Sequence, residues 1–260
     1  MKQMIFIFTR KKMNKMYFKK YSRKLYKALI VVVLVATSIF FFNYEVRASK
    51  MDNEETDSNK IIYLTFDDGP SIMTDKVLDI LKENEIKATF FLIGNQIEGQ
   101  KKVVKRIYDE GHSIGLHTFT HKFKSIYSNK QNFIKEMKLC QSEIYNLIVI
   151  KPNIIRFPGG SYKRLNKKFL NIIHENNFKV YDWNAYMSDG INYNTSVSKL
   201  YSEATKTTVS EYPIILLMHC DYMHKNTCIA LPMVIKYYKD KGYEFRVISE
   251  DTPECVFPMD

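Results

Sequence analysis

Two adjacent aspartates, Asp67 and Asp68, directly follow a short apolar run that spans residues 61–66. The run is rich in residues that favour β structure, and Gly69-Pro70 stops it, so the pattern predicts a buried strand. Two carboxylates this close do not both stay ionised without a cation or a shared proton. One metal ion, ligated by one aspartate while the other stays free as a base, resolves the conflict. A solvated Asp-Asp-Gly-Pro turn is the alternative interpretation, since all of these residues suit turns.

A pair of histidines, His117 and His121, ends a second strand-like stretch. The spacing places both imidazoles on one side of a helical turn or a tight loop, so that both can reach one ion. Two histidines and one carboxylate leave coordination positions open for water, which is typical of a catalytic Zn²⁺, Co²⁺ or Fe²⁺ site. Taken alone, the pair is better interpreted as a surface turn, and His112 is interpreted as a loop or core histidine.

Three later segments each end a predicted strand in a polar or aromatic group. Arg156 stands between a strand and a Pro-Gly-Gly turn, Asp182 and Trp183 end another strand, and His219 ends the apolar run 213–218. Each has a structural interpretation: a surface ion pair for Arg156, a core position for Trp183 and a hydrogen-bonded strand end for His219. Singly, these interpretations are preferred, and only the combination of all five segments indicates a function.

In that combination and order, the segments resemble the five motifs of the NodB-homology polysaccharide deacetylases, carbohydrate esterase family 4. The matching stretches are residues 65–71, 117–121, 156–160, 182–183 and 217–219. Many relatives carry an aromatic residue at the place of Gly159, so this chain is expected to lack that aromatic face but to keep the backbone N–H. The resemblance implies an α/β fold, a distorted and incomplete (β/α) barrel with seven strands, and deacetylase activity.

The metal centre and the general base follow from this resemblance as hypotheses. Asp68, His117 and His121 are expected to hold one divalent metal ion, with Zn²⁺ or Co²⁺ preferred, which lowers the pKa of a bound water. Asp67 is expected to act as the general base. The resemblance implies that Arg156 orients Asp67 and keeps it ionised through a charge-assisted hydrogen bond.

The remaining site residues are expected to serve the leaving group and the acetyl group. His219 is assigned as the general acid for the leaving amine, held as an imidazolium by Asp182. The oxyanion is expected to lie on the metal and on the backbone N–H of Gly159. Trp183 and Leu217 are expected to line a small pocket for the acetyl methyl group.

The positive charge of the chain is concentrated at its N-terminus. The formal net charge is +11, but residues 1–27 hold ten Lys or Arg residues and no acidic residue, and the remainder is nearly neutral. Nucleic-acid binding is therefore excluded. The apolar segment 28–42 is short for a full membrane span but suits a signal peptide, with a cleavage site near Val46-Arg47-Ala48. An uncleaved single-pass anchor is the alternative. Both predict a location at the extracellular face of a bacterial cell.

The chain divides into this N-terminal part (1–48), a polar linker (49–59) and a catalytic domain (60–255). Strand and helix patterns alternate in the domain, which predicts a mainly parallel sheet, and the motif residues fall at strand ends, which fits barrel-like closure. Helices are predicted over residues 74–84, 100–110, 129 or 131–147, 166–175, 195–208 and 227–240. Four cysteines are too few for a disulfide scaffold, so buried free thiols are expected, with a Cys220–Cys228 bridge as the alternative.

Substrate choice is the least constrained expectation. The family acts on N-acetylglucosamine polymers such as peptidoglycan and chitin and sometimes on O-acetyl xylan, and a bacterial surface location favours peptidoglycan. An O-acetylxylan esterase or a muramic acid deacetylase would share every motif. A catalytically inactive glycan-binding surface protein is expected to lack one of the motif residues, and none is missing. No protein partner is inferred.

Overall fold

The computed structural model describes residues 60–206 and 213–259. The predicted signal peptide or anchor (1–48) and the linker (49–59) lie outside these ranges and remain predictions. Within the described ranges, no helix combines the length and the apolar content that crossing a membrane requires.

Strands and helices alternate along the described chain, as the sequence pattern predicts. The strands are β1 (Ile61–Gly69), β2 (Thr89–Leu92), β3 (Ser113–Leu116), β4 (Ile154–Ile155), β5 (Lys179–Val180), β6 (Ala185–Tyr186), β7 (Ile214–His219) and β8 (Glu244–Arg246). The helices are α1 (Ile72–Glu83), α2 (Lys101–Asp109), α3 (Phe123–Ile126), α4 (Lys130–Ile148), α5 (Lys167–Glu175), α6 (Val197–Thr205) and α7 (Lys225–Asp240). Short 3₁₀ turns occupy Gly94–Gln96, Glu98–Gln100 and Ser188–Gly190.

The strands form one parallel sheet in the order β5-β4-β3-β2-β1-β7-β6, and β8 pairs with the amino end of β1. β5 and β6 stand at the two ends of this order, so the sheet curls without closing and the predicted incomplete barrel is confirmed. Among the described residues the sheet has eight strands, where the resemblance implied seven. β6 pairs only Ala185 and Tyr186 with β7 and is too short to leave a hydrophobic pattern in the sequence.

The alternation of β1 assigns its side chains to two layers. Ile62, Leu64 and Phe66 belong to the large cluster beneath the helices. Tyr63 belongs to a smaller cluster inside the barrel that also contains Phe91, Ile154, Tyr181, Ile215 and Ile248. Asp67 lies four residues after Tyr63, and alternate residues of a strand share one face. Its side chain therefore belongs to the same interior layer, at the carboxyl end of the barrel.

Helix boundaries follow the capping side chains. Ser71 Oγ accepts from the N–H groups of Met73 and Thr74 in a capping box, so α1 begins at Ile72, two residues before the predicted start. The side chains of Asn129 and Asn166 cap α4 and α5 by accepting one backbone N–H each. α6 ends at Thr205, with Lys206 as its C-cap; the predicted end at residue 208 lies outside the described residues. All four cysteines are free thiols.

Candidate metal centre and active site

Both aspartates face one cavity because β1 is bulged at its carboxyl end. In a regular strand, neighbouring side chains point to opposite faces. Here the pairing of β1 with β2 shifts register between Asp67 and Gly69, and Asp68 adopts a φ of 67°. This left-handed conformation costs energy for a residue with a Cβ, but aspartate tolerates it better than most. The bulge therefore turns Asp68 towards the side on which Asp67 already lies.

Asp68, His117 and His121 converge on one point. The Nε2 atoms of His117 and His121 lie 3.4 and 3.3 Å from Oδ1 of Asp68. This buried Oδ1 atom has no hydrogen-bond partner among the described residues, which suits an oxygen that ligates a cation. One carboxylate and two imidazoles, with positions left for water and substrate, fit a catalytic divalent ion such as Zn²⁺ or Co²⁺.

The tautomer and charge of His117 suit a ligand. Its Nδ1 atom lies 3.0 Å from the backbone carbonyl oxygen of Arg156, an acceptor, so Nδ1 carries the proton and Nε2 presents its lone pair towards Asp68. Burial lowers the pKa of His117 to about 3. The imidazole is therefore neutral at physiological pH, as metal ligation requires.

His121 is placed by a tight loop, one of the two geometries that its spacing allowed. Thr118 and His121 have φ values of 68° and 54°, and such strained residues each cost about 1–3 kcal/mol. Glu136 of α4 holds the loop, because its carboxylate accepts hydrogen bonds from the N–H groups of Phe119 and Thr120 at 3.1 and 2.7 Å. Sequence reasoning missed Glu136. The available signal was an acidic residue on the apolar, inward face of a helix.

Asp67 is held by Arg156, which is fully buried and so is not part of a surface ion pair. Nη1 of Arg156 donates to Oδ1 of Asp67 at 3.0 Å and to Oγ1 of Thr65 at 2.7 Å. The guanidinium stacks on Phe91, 4.2 Å from the ring centroid. Burial raises the pKa of Asp67, and Arg156 opposes that rise. The other carboxylate oxygen, Oδ2, lies 3.7 Å from Nε2 of His117, so it faces the metal centre.

His219 pairs with Asp189, and the predicted pairing with Asp182 is wrong. Nδ1 of His219 donates to Oδ1 of Asp189 at 2.9 Å, and the backbone N–H of His219 donates to Oδ2 at 2.9 Å. The Thr227 hydroxyl donates to the same Oδ2 at 2.8 Å. Burial lowers the pKa of His219, but the bond and charge of Asp189 outweigh burial and raise it to about 9. His219 is therefore an imidazolium at neutral pH.

Asp182 lies elsewhere, because Tyr181 points into the barrel interior and the next side chain points the other way. The buried Asp182 carboxylate accepts from the N–H of Ser161 at 3.0 Å, from the Ser161 hydroxyl, and from the N–H of Phe257 at 2.8 Å. Burial raises the pKa of Asp182, and these hydrogen bonds oppose that rise. Asp182 thus braces the turn that follows Arg156.

A cavity of about 500 Å³ opens in front of these groups, and Gly159, Trp183 and Leu217 line it as expected. Gly159 has a φ of 70°, and none of the described residues accepts a hydrogen bond from its N–H. A Cβ at this position would lie 3.3 Å from the ring of Phe123. Phe123 also lines the cavity, so an aromatic ring lies beside Gly159 although Gly159 has no aromatic side chain of its own.

Comparison with known proteins agrees with this geometry. Residues 54–181 match the family model described as "Polysaccharide deacetylase". A peptidoglycan-N-acetylglucosamine deacetylase of Bacillus cereus is 37% identical over 204 residues, which cover 77% of this chain and 72% of the relative.

Solved structures give the same result. The crystal structure of the polysaccharide deacetylase Bc1974 from Bacillus cereus superposes with a TM-score of 0.69 at 36% identity, covering 76% of this chain and 96% of that one. The Xyl-CE4 domain of a multidomain xylanase from the hindgut metagenome of Trinervitermes trinervoides gives 0.63 at 32% identity, covering 74% and 89%. The chain therefore belongs to the NodB-homology polysaccharide deacetylases, carbohydrate esterase family 4.

Proposed function

We propose that this chain is a metal-dependent deacetylase that removes N-acetyl groups from N-acetylglucosamine units of peptidoglycan. The observation that carries the proposal is the orphaned Oδ1 of Asp68 between two imidazoles, with a guanidinium-bound Asp67 beside it. This arrangement supplies a metal centre and a separate base within one cavity. His219, on the same cavity, supplies an acid.

The residues divide the hydrolysis of an acetamide among them. Asp68, His117 and His121 would hold a divalent ion, which would lower the pKa of a water and polarise the acetyl carbonyl. Oδ2 of Asp67 accepts a proton from the attacking water while Arg156 holds Oδ1.

The water oxygen then bonds to the carbonyl carbon, and the developing oxyanion accepts a hydrogen bond from the N–H of Gly159. As the carbon–nitrogen bond breaks, the imidazolium of His219 donates its Nε2 proton to the leaving nitrogen. Asp189 holds the opposite ring nitrogen, Nδ1, during this transfer. The products are acetate and a glucosamine unit with a free amine.

Peptidoglycan is proposed as the substrate because the similar Bacillus cereus relative is named as a peptidoglycan-N-acetylglucosamine deacetylase. O-acetylxylan esterase activity is the second candidate, favoured by the similarity to the xylanase-associated domain. A muramic acid deacetylase would use the same residues. The basic run before the apolar segment 28–42 supports a site of action outside the cell, reached by secretion or through a membrane anchor.

The test is acetate release by residues 49–260, loaded with Zn²⁺ or Co²⁺. Substrates are peptidoglycan, chitin oligomers and acetylxylan, and mass spectrometry of the glycan products locates the lost acetyl groups. We expect the mass spectra of the peptidoglycan products to show the loss of one acetyl group from each deacetylated N-acetylglucosamine unit. Loss of acetyl groups from acetylxylan alone would transfer the proposal to the esterase. Loss confined to muramic acid units would transfer it to that activity. Asp67→Asn is the matched inactive control, and its activity at the wild-type rate would exclude this site.

A further inference from the structure

The turn that carries Gly159 is tied to the C-terminal end of the described chain through one carboxylate. Asp182 is fully buried and accepts from both the N–H and the hydroxyl of Ser161, two residues after Gly159. Its Oδ2 also accepts from the backbone N–H of Phe257 at 2.8 Å. One side chain thus joins the catalytic turn to a segment that follows the last strand of the sheet.

That segment, residues 252–259, is called the C-terminal strap below. It covers the edge of the sheet at β5, since Tyr181 forms a parallel bridge with Cys255 and the N–H of Asp182 donates to the Cys255 carbonyl at 2.6 Å. Glu254 accepts from the N–H of Val180. An exposed edge strand needs such a cover, but the contacts of the strap extend beyond the edge.

Phe257 packs against the turn that contains Gly159 and Gly160. Its ring packs edge-to-face on Trp183, with centroids 5.0 Å apart. A Cβ added at Gly160 would lie 2.9 Å from Phe257 and 3.0 Å from Trp183, so no space is left between the turn and these rings. On the other side, Nη1 of Arg164 donates to the carbonyl oxygens of Gly159 and Gly160, both at 2.8 Å.

We propose that the C-terminal strap positions the oxyanion site, fixing the direction of the Gly159 N–H through Phe257, Asp182 and Ser161. The inference rests on the proposed function. An oxyanion donor acts only when its nitrogen lies about 2.7–3.1 Å from the developing charge. A displacement of about 1 Å can cost about 10²-fold in rate. Asp182, Ser161 and Phe257 are positioning residues, since they act on substrate only through the turn.

The test uses the purified full chain and its variants Asp182→Asn, Ser161→Ala and Phe257→Ala. An amide at position 182 offers one acceptor oxygen and turns an NH₂ group towards a backbone N–H, so the turn loses one anchor. We expect kcat to fall by about 10- to 100-fold. KM should stay within about twofold, because ground-state contacts are kept. Metal content and the alkaline limb of the pH profile should match wild type.

Asp251→Asn is the matched control, an exposed carboxylate just before the strap, and its kcat should equal that of wild type. The double variant of Asp182→Asn and Ser161→Ala should lose little more than Asp182→Asn alone, because the two residues act as one unit. Removal of residues 256–260 should lower kcat in the same way.

Unchanged kcat in Asp182→Asn and Phe257→Ala overturns the proposal. So does a loss of kcat that is matched by a loss of bound metal or of folded protein, since either would show a purely structural role. Wild-type inactivity on every N-acetyl substrate would instead overturn the proposed function, and this inference with it.

Discussion

Replacement of Asp189 by asparagine is expected to move the alkaline limb of the pH profile of kcat. His219 is the proposed acid, so turnover requires its imidazolium form. The ion pair with Asp189 raises the pKa of His219 to about 9, and the rate should fall as the pH rises through that value. Without the Asp189 carboxylate, the main contribution that outweighs burial is lost, so burial lowers the pKa of His219 towards its ordinary value of about 6.5, against the remaining charges of Asp67 and Asp68.

The magnitude follows from these two pKa values. At pH 7.5, the wild-type His219 is almost entirely protonated, whereas a group with a pKa of about 6.5 is protonated to about a tenth. Asp189→Asn should therefore lose about tenfold in kcat at pH 7.5. The loss should be smaller at pH 6, where more of the variant is protonated.

The free energy of unfolding should also depend on pH through the pKa of His219. A histidine whose pKa is raised by folding contributes stability that is fully present below about pH 6.5 and is lost as the pH rises through the folded pKa. The free energy of unfolding of the wild type should therefore fall between pH 6.5 and about 9 more than that of Asp189→Asn. Denaturant unfolding at several pH values measures this difference.

The assay is the initial rate of acetate release between pH 5.5 and 10, at saturating substrate and constant metal. Asp182→Asn is the control for comparison, because it should lower the maximal kcat without changing the pH at which kcat falls on the alkaline side. An Asp189→Asn limb that stays near pH 9 would refute the assigned pairing. An alkaline limb of the pH profile that moves only in Asp182→Asn would instead support the predicted pairing of His219 with Asp182.

Two further predictions concern groups that support the site. Glu136→Gln should loosen the loop that carries His121, because one oxygen of its side chain can no longer accept from Thr120. Metal affinity should then fall about 10- to 100-fold. Titration with Zn²⁺ measures this affinity, and a wild-type value would contradict the role of Glu136. Gly190→Ala places a Cβ 2.3 Å from Cε1 of His219, so the ring must shift and kcat should fall by about 10²-fold with metal content unchanged, whereas a wild-type kcat would exclude His219 as the acid.

Several of the residues that the sequence identified lie where a strand with a clear hydrophobic pattern ends. Asp67 and Asp68 lie at the carboxyl end of β1 and His219 at that of β7, and in a parallel sheet such positions meet at one edge. His117 follows β3. The spacing of His117 and His121 fits both a helical turn and a loop, so the sequence did not decide which of the two places His121.

Asp189 escaped detection because it follows β6, a strand of two residues that has no periodicity to recognise. Asp182 was selected in its place since it ends the more evident apolar segment. Glu136 belongs to a helix and touches the His121 loop only through tertiary packing, which no local pattern reports. The β-bulge that turns Asp68 was also hidden, because it depends on a register shift between two strands.

The most direct test of the metal-dependent mechanism compares Asp67→Asn with Asp68→Asn, by elemental analysis and by initial rates of acetyl release from peptidoglycan. Asp68→Asn should lose the ion, because a neutral amide is a poorer ligand than a carboxylate. Asp67→Asn should keep one ion per chain while its rate falls by about 10²–10⁴-fold, as loss of a general base predicts. Loss of the ion from Asp67→Asn with retention in Asp68→Asn, or near wild-type turnover in Asp67→Asn, would contradict the assigned roles.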